Sequence, residues 1–310
     1  MRLARPGQQC HITHTVQCGT YCFLNMVTPR SGTKPNFVPS KIERNFGRRR
    51  HEFEFVRSLL RAHRESLGRE LSELSTAEDS DDNVEDELEE RSISDSDKQH
   101  TEGAGGEEDL VHRSAPEILD VNRRFREYLY QGDIALTARQ AQFLFGKRHR
   151  RQSLNGENYP EFKWPRNISY SFDNNLDNKT IGIIRKAINF WLNNTCLNFD
   201  ENPKAPLRLE FTKANGCWSY VGRASESDEP QPISIGDGCE HFAVASHEIA
   251  HALGFFHAQS RFDRDAYVRF KVRNVASGFE DQFAKENIET NNNYGVKYDY
   301  GSVLHYSNSK

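Results

Sequence analysis

The chain has 310 residues, 36% of them hydrophobic and 28% charged, with a formal net charge of -4 at pH 7. That length suits one core of ordinary size plus a sizeable non-globular remainder; two full domains would be a tight fit. A near-neutral balance argues against a nucleic-acid binder, and no apolar run approaches the ~18 residues of a membrane span, so neither partner is expected.

Residues 1–65 form an N-terminal region of no clear structure, although FEFVRSLLRA within 37–63 is locally amphipathic and suggests a short basic helix. No continuous apolar h-region lies between Met1 and Arg30, so no signal peptide can be read. Cys10, Cys18 and Cys22 cluster here, whereas Cys196, Cys217 and Cys239 lie in the second half. In an exported chain an odd trio implies one pair plus a leftover. Residues 66–114 are polar and Ser-rich, and 77–90 (AEDSDDNVEDELEE) hold nine carboxylates in fourteen positions. This stretch reads as a disordered acidic linker, too poor in apolar surface to offset its ordering entropy.

Apolar periodicity returns in 115–151. Ile118, Val121, Phe125, Tyr128 and Leu129 recur at three- and four-residue intervals and predict an amphipathic helix that Gln131-Gly132-Asp133 ends. A second helix is expected over Thr137–Phe145. The basic run Lys147 to Arg151 after it is a solvated helix end in its plainest reading. It also fits the dibasic pattern cut by secretory-pathway convertases, with cleavage between Arg151 and Gln152 on the seam between a low-complexity half and a folded half.

Residues 152–310 read as one domain. Ile168–Phe172, Leu207–Thr212, Trp218–Gly222 and Ile233–Ile235 are expected strands. Thr180–Leu192 is an expected helix, with Ile181, Ile184, Ile188, Trp191 and Leu192 on one face, and a further helix spans His241–Leu253. Glycosylation sequons begin at Asn167, Asn178 and Asn193 and lean towards secretion.

The chemistry concentrates in His247-Glu248-Ile249-Ala250-His251-Ala252-Leu253-Gly254-Phe255-Phe256-His257. Histidines at i and i+4 share one helical face, so both imidazoles can reach one zinc ion. An unbroken helix would carry His257 out of reach, but Gly254 can take the left-handed conformation that ends a helix and turns the chain back. Glu248, beside the first ligand, is placed to take a proton from a zinc-bound water and pass it to a leaving amine. Three unrelated polar histidines are the bland alternative, yet the full pattern arises by chance only about 10⁻⁴ times in a chain of this composition.

The stretch HEIAHALGFFHAQSRFDRDAYV, with Tyr300-Gly301-Ser302-Val303-Leu304-His305-Tyr306 beyond it, resembles the astacin family of metzincin zinc endopeptidases. The resemblance implies an α+β catalytic domain: a twisted mixed sheet with two long helices and one Zn²⁺ at the base of an open cleft. It implies Tyr306 as the phenol that ligates the resting metal and swings away to stabilise the oxyanion. It likewise implies Asp133 as the pro-segment aspartate that takes the position of the zinc-bound water until cleavage at Arg151, and protein or peptide substrates and an activating convertase as partners. Cys217 and Cys239 would form the family's short disulfide, contributing about 3 kcal/mol in the chain-entropy model. Cys196 would pair with a cysteine near the C-terminus of the domain that this chain does not contain.

Three departures stand out. Leu304 replaces the family's Met-turn methionine, a swap that costs under ~1.5 kcal/mol. Ala258 stands where the family has a Glu that engages the new amino terminus. The chain ends four residues after Tyr306, leaving an incomplete lower lobe. The expected function is a secreted latent zinc endopeptidase; the alternative is an inactive truncated homologue that acts as a zinc-binding or protein-interaction module.

Overall fold

The computed structural model describes residues 50–81, 117–145, 162–224, 229–276, 278–288 and 291–306. Its elements in chain order are α1 (Arg50–Asp81), α2 (Ile118–Asn122), β1 (Ile134–Ala135), α3 (Ala138–Phe145), β2 (Asn167–Phe172), α4 (Asn178–Asn194), β3 (Asn198–Glu201), β4 (Leu209–Thr212), β5 (Cys217–Tyr220), β6 (Gln231–Ile235) and α5 (Phe242–Ala252). Short 3₁₀ turns follow α5. The strands form one mixed sheet in the order β1-β5-β6-β4-β2-β3, in which only the β5–β6 pair is antiparallel.

Helix α4 begins where the Asp177 carboxylate accepts the Thr180 backbone N–H and hydroxyl, each at 2.9 Å, which satisfies an otherwise orphaned donor. Its Ile184, Ala187, Ile188 and Trp191 recur at helical spacing and are buried against the sheet with Leu209, Phe211, Ile233 and Ile235. Full burial of each large apolar side chain contributes about 1.5 to 3 kcal/mol. Helix α5 lies in the same core and differs from α4 in having almost no solvent face, since every residue from Val244 to Ala252 is buried. His247, Glu248 and His251 are therefore buried polar side chains on a helix whose other buried residues, Ser246 apart, belong to the apolar core. The Cys217–Cys239 disulfide, with a Cα–Cα distance of 5.6 Å, ties β5 to the loop that enters α5.

The α+β fold with its mixed sheet matches expectation, and the departures are local. Residues 66–81, expected to open a disordered linker, continue α1. Composition registers their polarity, whereas helix propensity is set by straight-chain residues such as Arg61, Glu65, Leu67, Arg69 and Glu70, aided by the Arg61–Glu65 pair. The rest of that stretch, 82–114, lies outside the described residues. The helix expected over 118–129 stops at Asn122, whose side chain turns away to bond Gly132 and Cys217, and Arg126–Tyr128 close a 3₁₀ turn instead. Strands β1 and β3 gave no period-two signal, β1 being two residues long and β3 (NFDE) a polar edge strand. Cys196 is itself disulfide-bonded, which corrects the expectation that it lacks a partner in this chain. Among the described residues no helix is long and apolar enough to cross a membrane.

Candidate metal centre

Helix α5 presents His247 and His251 one turn apart, and the chain after it reverses to deliver the third ring. Leu253 caps the helix; the Gly254 N–H then reaches the His251 carbonyl at 2.8 Å and the Phe255 N–H the Ala250 carbonyl at 3.1 Å. This paired closure requires a left-handed residue, and Gly254 supplies φ 106°. His257 emerges beside the first two histidines, with ring centroids 5.3 Å from His247 and 4.8 Å from His251.

The proton positions follow from the outer partners. Nδ1 of His247 faces the Val303 carbonyl at 2.8 Å, and that of His251 faces the Phe255 carbonyl at 2.7 Å. Nδ1 of His257 faces the Gln131 Oε1 at 3.0 Å. Carbonyl oxygens only accept, so each ring carries its proton on Nδ1 and turns a bare Nε2 inward. The Gln131 amide is oriented by its other end, where Nε2 donates to the Ala284 carbonyl and the Glu286 carboxylate, each at 3.2 Å.

Asp133 enters this ring of lone pairs. Its Oδ2 lies 3.1 Å from His247 Nε2 and 3.2 Å from His257 Nε2, while its Oδ1 is 3.5 Å from His251 Nε2. The Nε2 atoms of His247 and His251 are themselves 2.9 Å apart. One ligand atom from each of the four residues falls within 4.8 Å of all the others, and all four residues are buried. Four converging acceptors with no proton among them repel one another, and a cation at their centre reverses the sign of that interaction. Burial lowers His251, and drives His257 down to about 4, so those rings are neutral at physiological pH. The donor set, three imidazoles and one carboxylate, suits zinc.

Glu248 is fully buried, and neither carboxylate oxygen has a hydrogen-bond partner. Burial, followed by the charge of Asp133, pushes its pKa well above the ordinary value. An orphaned carboxyl beside a ligand cluster is costly unless it has a chemical task. Tyr306 does not join the four ligand residues; its hydroxyl donates to the Gln131 carbonyl at 2.5 Å, and its ring packs 4.6 Å from that of His257. Burial and then Asp133 push this phenol well above its usual pKa, keeping it a donor.

The turn that carries Tyr306 also supports the site from below. Leu304 is buried in the α4–α5 core, its carbonyl accepts the Ala258 N–H at 2.9 Å, and the neighbouring Val303 carbonyl orients His247. The segment bearing Asp133 is pinned by Asn122, whose amide donates to Gly132 O at 2.9 Å and Cys217 O at 2.5 Å while its Oδ1 accepts the Cys217 N–H at 2.9 Å. Asn122, Gln131 and Glu286 carried no sequence signal of their own. Only the adjacency of Gln131 to Gly132-Asp133 could have flagged it. The expected cleavage pair Arg151 and Gln152 lies outside the described residues. The sequon asparagines Asn167, Asn178 and Asn193 are all exposed.

The family model for the astacin peptidases matches residues 156–310. The zinc metalloproteinase nas-31 of Caenorhabditis elegans is 38% identical over 210 residues, covering 64% of this chain and 34% of that protein. Nas-23 of the same organism is 41% identical over 199 residues, 61% of this chain and 36% of that protein. Among solved structures, high choriolytic enzyme 1, a hatching enzyme zinc-protease of Oryzias latipes, is 30% identical, with a TM-score of 0.43, over 47% of this chain and 74% of that one. The chain thus spans about a third of the length of these curated relatives.

Proposed function

The chain belongs to the astacin family, and from that premise we propose that it is a secreted, latent zinc endopeptidase acting on protein or peptide substrates. The observation that carries the reading is the convergence of three bare imidazole nitrogens on one point beside the unpartnered carboxyl of Glu248. His247, His251 and His257 would hold the zinc, which when bound supplies Lewis acidity and lowers the pKa of water from 15.7 to about 7.

The remaining steps belong to side chains of this protein. The Nδ1 partners Val303 O and Phe255 O fix the tautomer and aim of the first two rings, so no reorganisation is needed when charge develops. Glu248 is the base: a carboxyl with a raised pKa in a water-poor pocket can take the proton of the attacking water and return it to the amine that leaves. Tyr306, kept protonated, is the donor to the oxyanion once its hydroxyl is freed from the Gln131 carbonyl. Asp133 and Gln131 together impose latency, the first by lying against the ligand nitrogens and the second by engaging Tyr306 and His257. Conversion between Arg151 and Gln152 by a dibasic-specific protease would release both. Secretion accords with the disulfide and with exposed sequons at Asn167, Asn178 and Asn193, which we propose as glycosylation sites.

The test uses the full chain after conversion at Arg151. It should cleave a quenched peptide in a chelator-sensitive manner, and Glu248→Gln should cut the rate by about 10² to 10⁴ with zinc content unchanged. Zinc-loaded, folded, converted protein that cleaves nothing would replace this reading with an inactive zinc-binding homologue.

A further inference from the structure

Helix α1 lies far upstream of the aspartate-bearing segment in sequence, yet it is packed onto it. Val56 and Leu60 are buried in one cluster with Tyr130, Ile134, Leu136, Ala141 and Phe256. Tyr130 and Ile134 flank the Gln131–Asp133 turn, so the apolar stripe of α1 rests on both shoulders of the inhibitory residue. One turn beyond Leu60, Arg64 makes three charge-assisted contacts. Its Nε donates to the Asp281 carboxylate at 2.6 Å, and its Nη2 to the carbonyls of Arg126 at 2.6 Å and Leu129 at 2.8 Å. Asp281 belongs to the loop whose next residues line the covered site: Phe283 packs on Tyr306, and the Ala284 carbonyl and Glu286 carboxylate accept from Gln131. A single guanidinium therefore joins α1, the pro-segment backbone and the wall of the catalytic cleft.

We propose that α1 is a second inhibitory element and that Arg64, clamped on Asp281, is the positioning residue that keeps Asp133 over the metal site. This rests on the reading of Asp133 as the latent ligand. The backbone hold on that segment is slight, since β1 pairs with β5 through only two residues. The Arg64–Asp281 pair is nearly excluded from water, with side-chain exposures of 18% and 7%, and either member alone would be an uncompensated charge in a poorly solvated place. Removing the guanidinium thus costs the pro-segment backbone two bonds and α1 its hold on the cleft wall, and leaves Asp281 an unpaired buried charge.

The experiment compares unconverted, zinc-loaded full chains of wild type, Arg64→Gln, Arg64→Lys and Leu60→Ala. Two quantities are read: hydrogen exchange of the peptide covering 130–135, and chelator-sensitive hydrolysis of a quenched peptide. Arg64→Gln should raise both about tenfold or more, the loss expected for hydrogen bonds to a charged group. Arg64→Lys, which keeps the charge but cannot reach all three acceptors, should fall between. Leu60→Ala, which trims the helix stripe without touching the cleft wall, should move both readouts in the same direction. Wild-type exchange and wild-type latency in a folded Arg64→Gln or Leu60→Ala chain would overturn the proposal. Were the converted wild type to cleave no peptide, the protease reading would fall while the exchange of 130–135 still decided the role of α1.

Discussion

Below the three imidazoles, α5 buries Val244 through Ala252 in the apolar core it shares with α4, and Cys217–Cys239 staples β5 to its entry. Above them, residues 130–133 meet the same rings mainly through polar contacts: Asp133 on the Nε2 atoms, Gln131 on His257 and Tyr306, Asn122 and Arg64 behind. Apolar packing is non-directional and survives a change of ligand state; a set of buried hydrogen bonds holds strongly while complete and fails cooperatively when one member is lost. Under the proposed latency, the floor would persist through conversion and the cover would hold and then leave.

Mutations on the two sides should separate these modes. The largest effect is expected at Asn122, where Asn122→Ala strands the Gly132 and Cys217 carbonyls and the Cys217 N–H. Thermal unfolding of the unconverted chain should show a loss of about 2 to 4 kcal/mol. No change in midpoint would mean the cover is held by something other than these bonds. On the floor, Gly254→Ala would place its Cβ in ordinary van der Waals contact with Gly222 Cα at 3.9 Å, but must adopt φ 106°. It should cost about 1 to 3 kcal/mol from backbone strain alone and, by shifting His257, weaken zinc retention during dialysis against a chelator. Retention equal to wild type would show that the third ring is placed by its own contacts and not by the glycine bend.

The smallest expected effect is a pH dependence of the cover. His63 on α1 stacks on Phe145 at 4.5 Å, and its Nε2 is buried without a partner. Burial pushes its pKa down, opposed by Asp281 and reinforced by Arg64; Tyr130 is the other ionisable group packed on the ring. A lowered folded-state pKa means that the helix docks at full strength above the ordinary imidazole value of about 6.5 and loosens as pH falls through it toward the folded value. Protection of the α1 amides, each exchange rate taken relative to its intrinsic rate at the same pH, should therefore fall from pH 7.5 to pH 5.5, and His63→Phe should remove that response even though the metal-site histidines remain.

Much of the site was legible because its chemistry is local. His247, Glu248 and His251 fall within five consecutive positions, and the glycine that returns His257 is three residues further on, so helical geometry and one backbone preference suffice to assemble them. The Cys217–Cys239 pair was given by the family resemblance, and Asp133, to which that resemblance assigned the inhibitory role, lies with its carboxylate within 4.8 Å of the ligand atoms of the three histidines. Reading composition alone misjudged 66–81, because low hydrophobicity removes a core without removing helix propensity.

The residues by themselves thus pointed to a converging trio of histidines with Glu248 beside it and to an α+β scaffold to carry them, since each depends on spacings of a turn or less. Only the tertiary structure decided what closes the site. Arg64 and Asp281 are 217 residues apart, and Gln131 meets Glu286 across 155. Such pairs obey no period along the chain, and they exist because the same core that buries α5 brings distant polar groups into one dry space where they must satisfy one another.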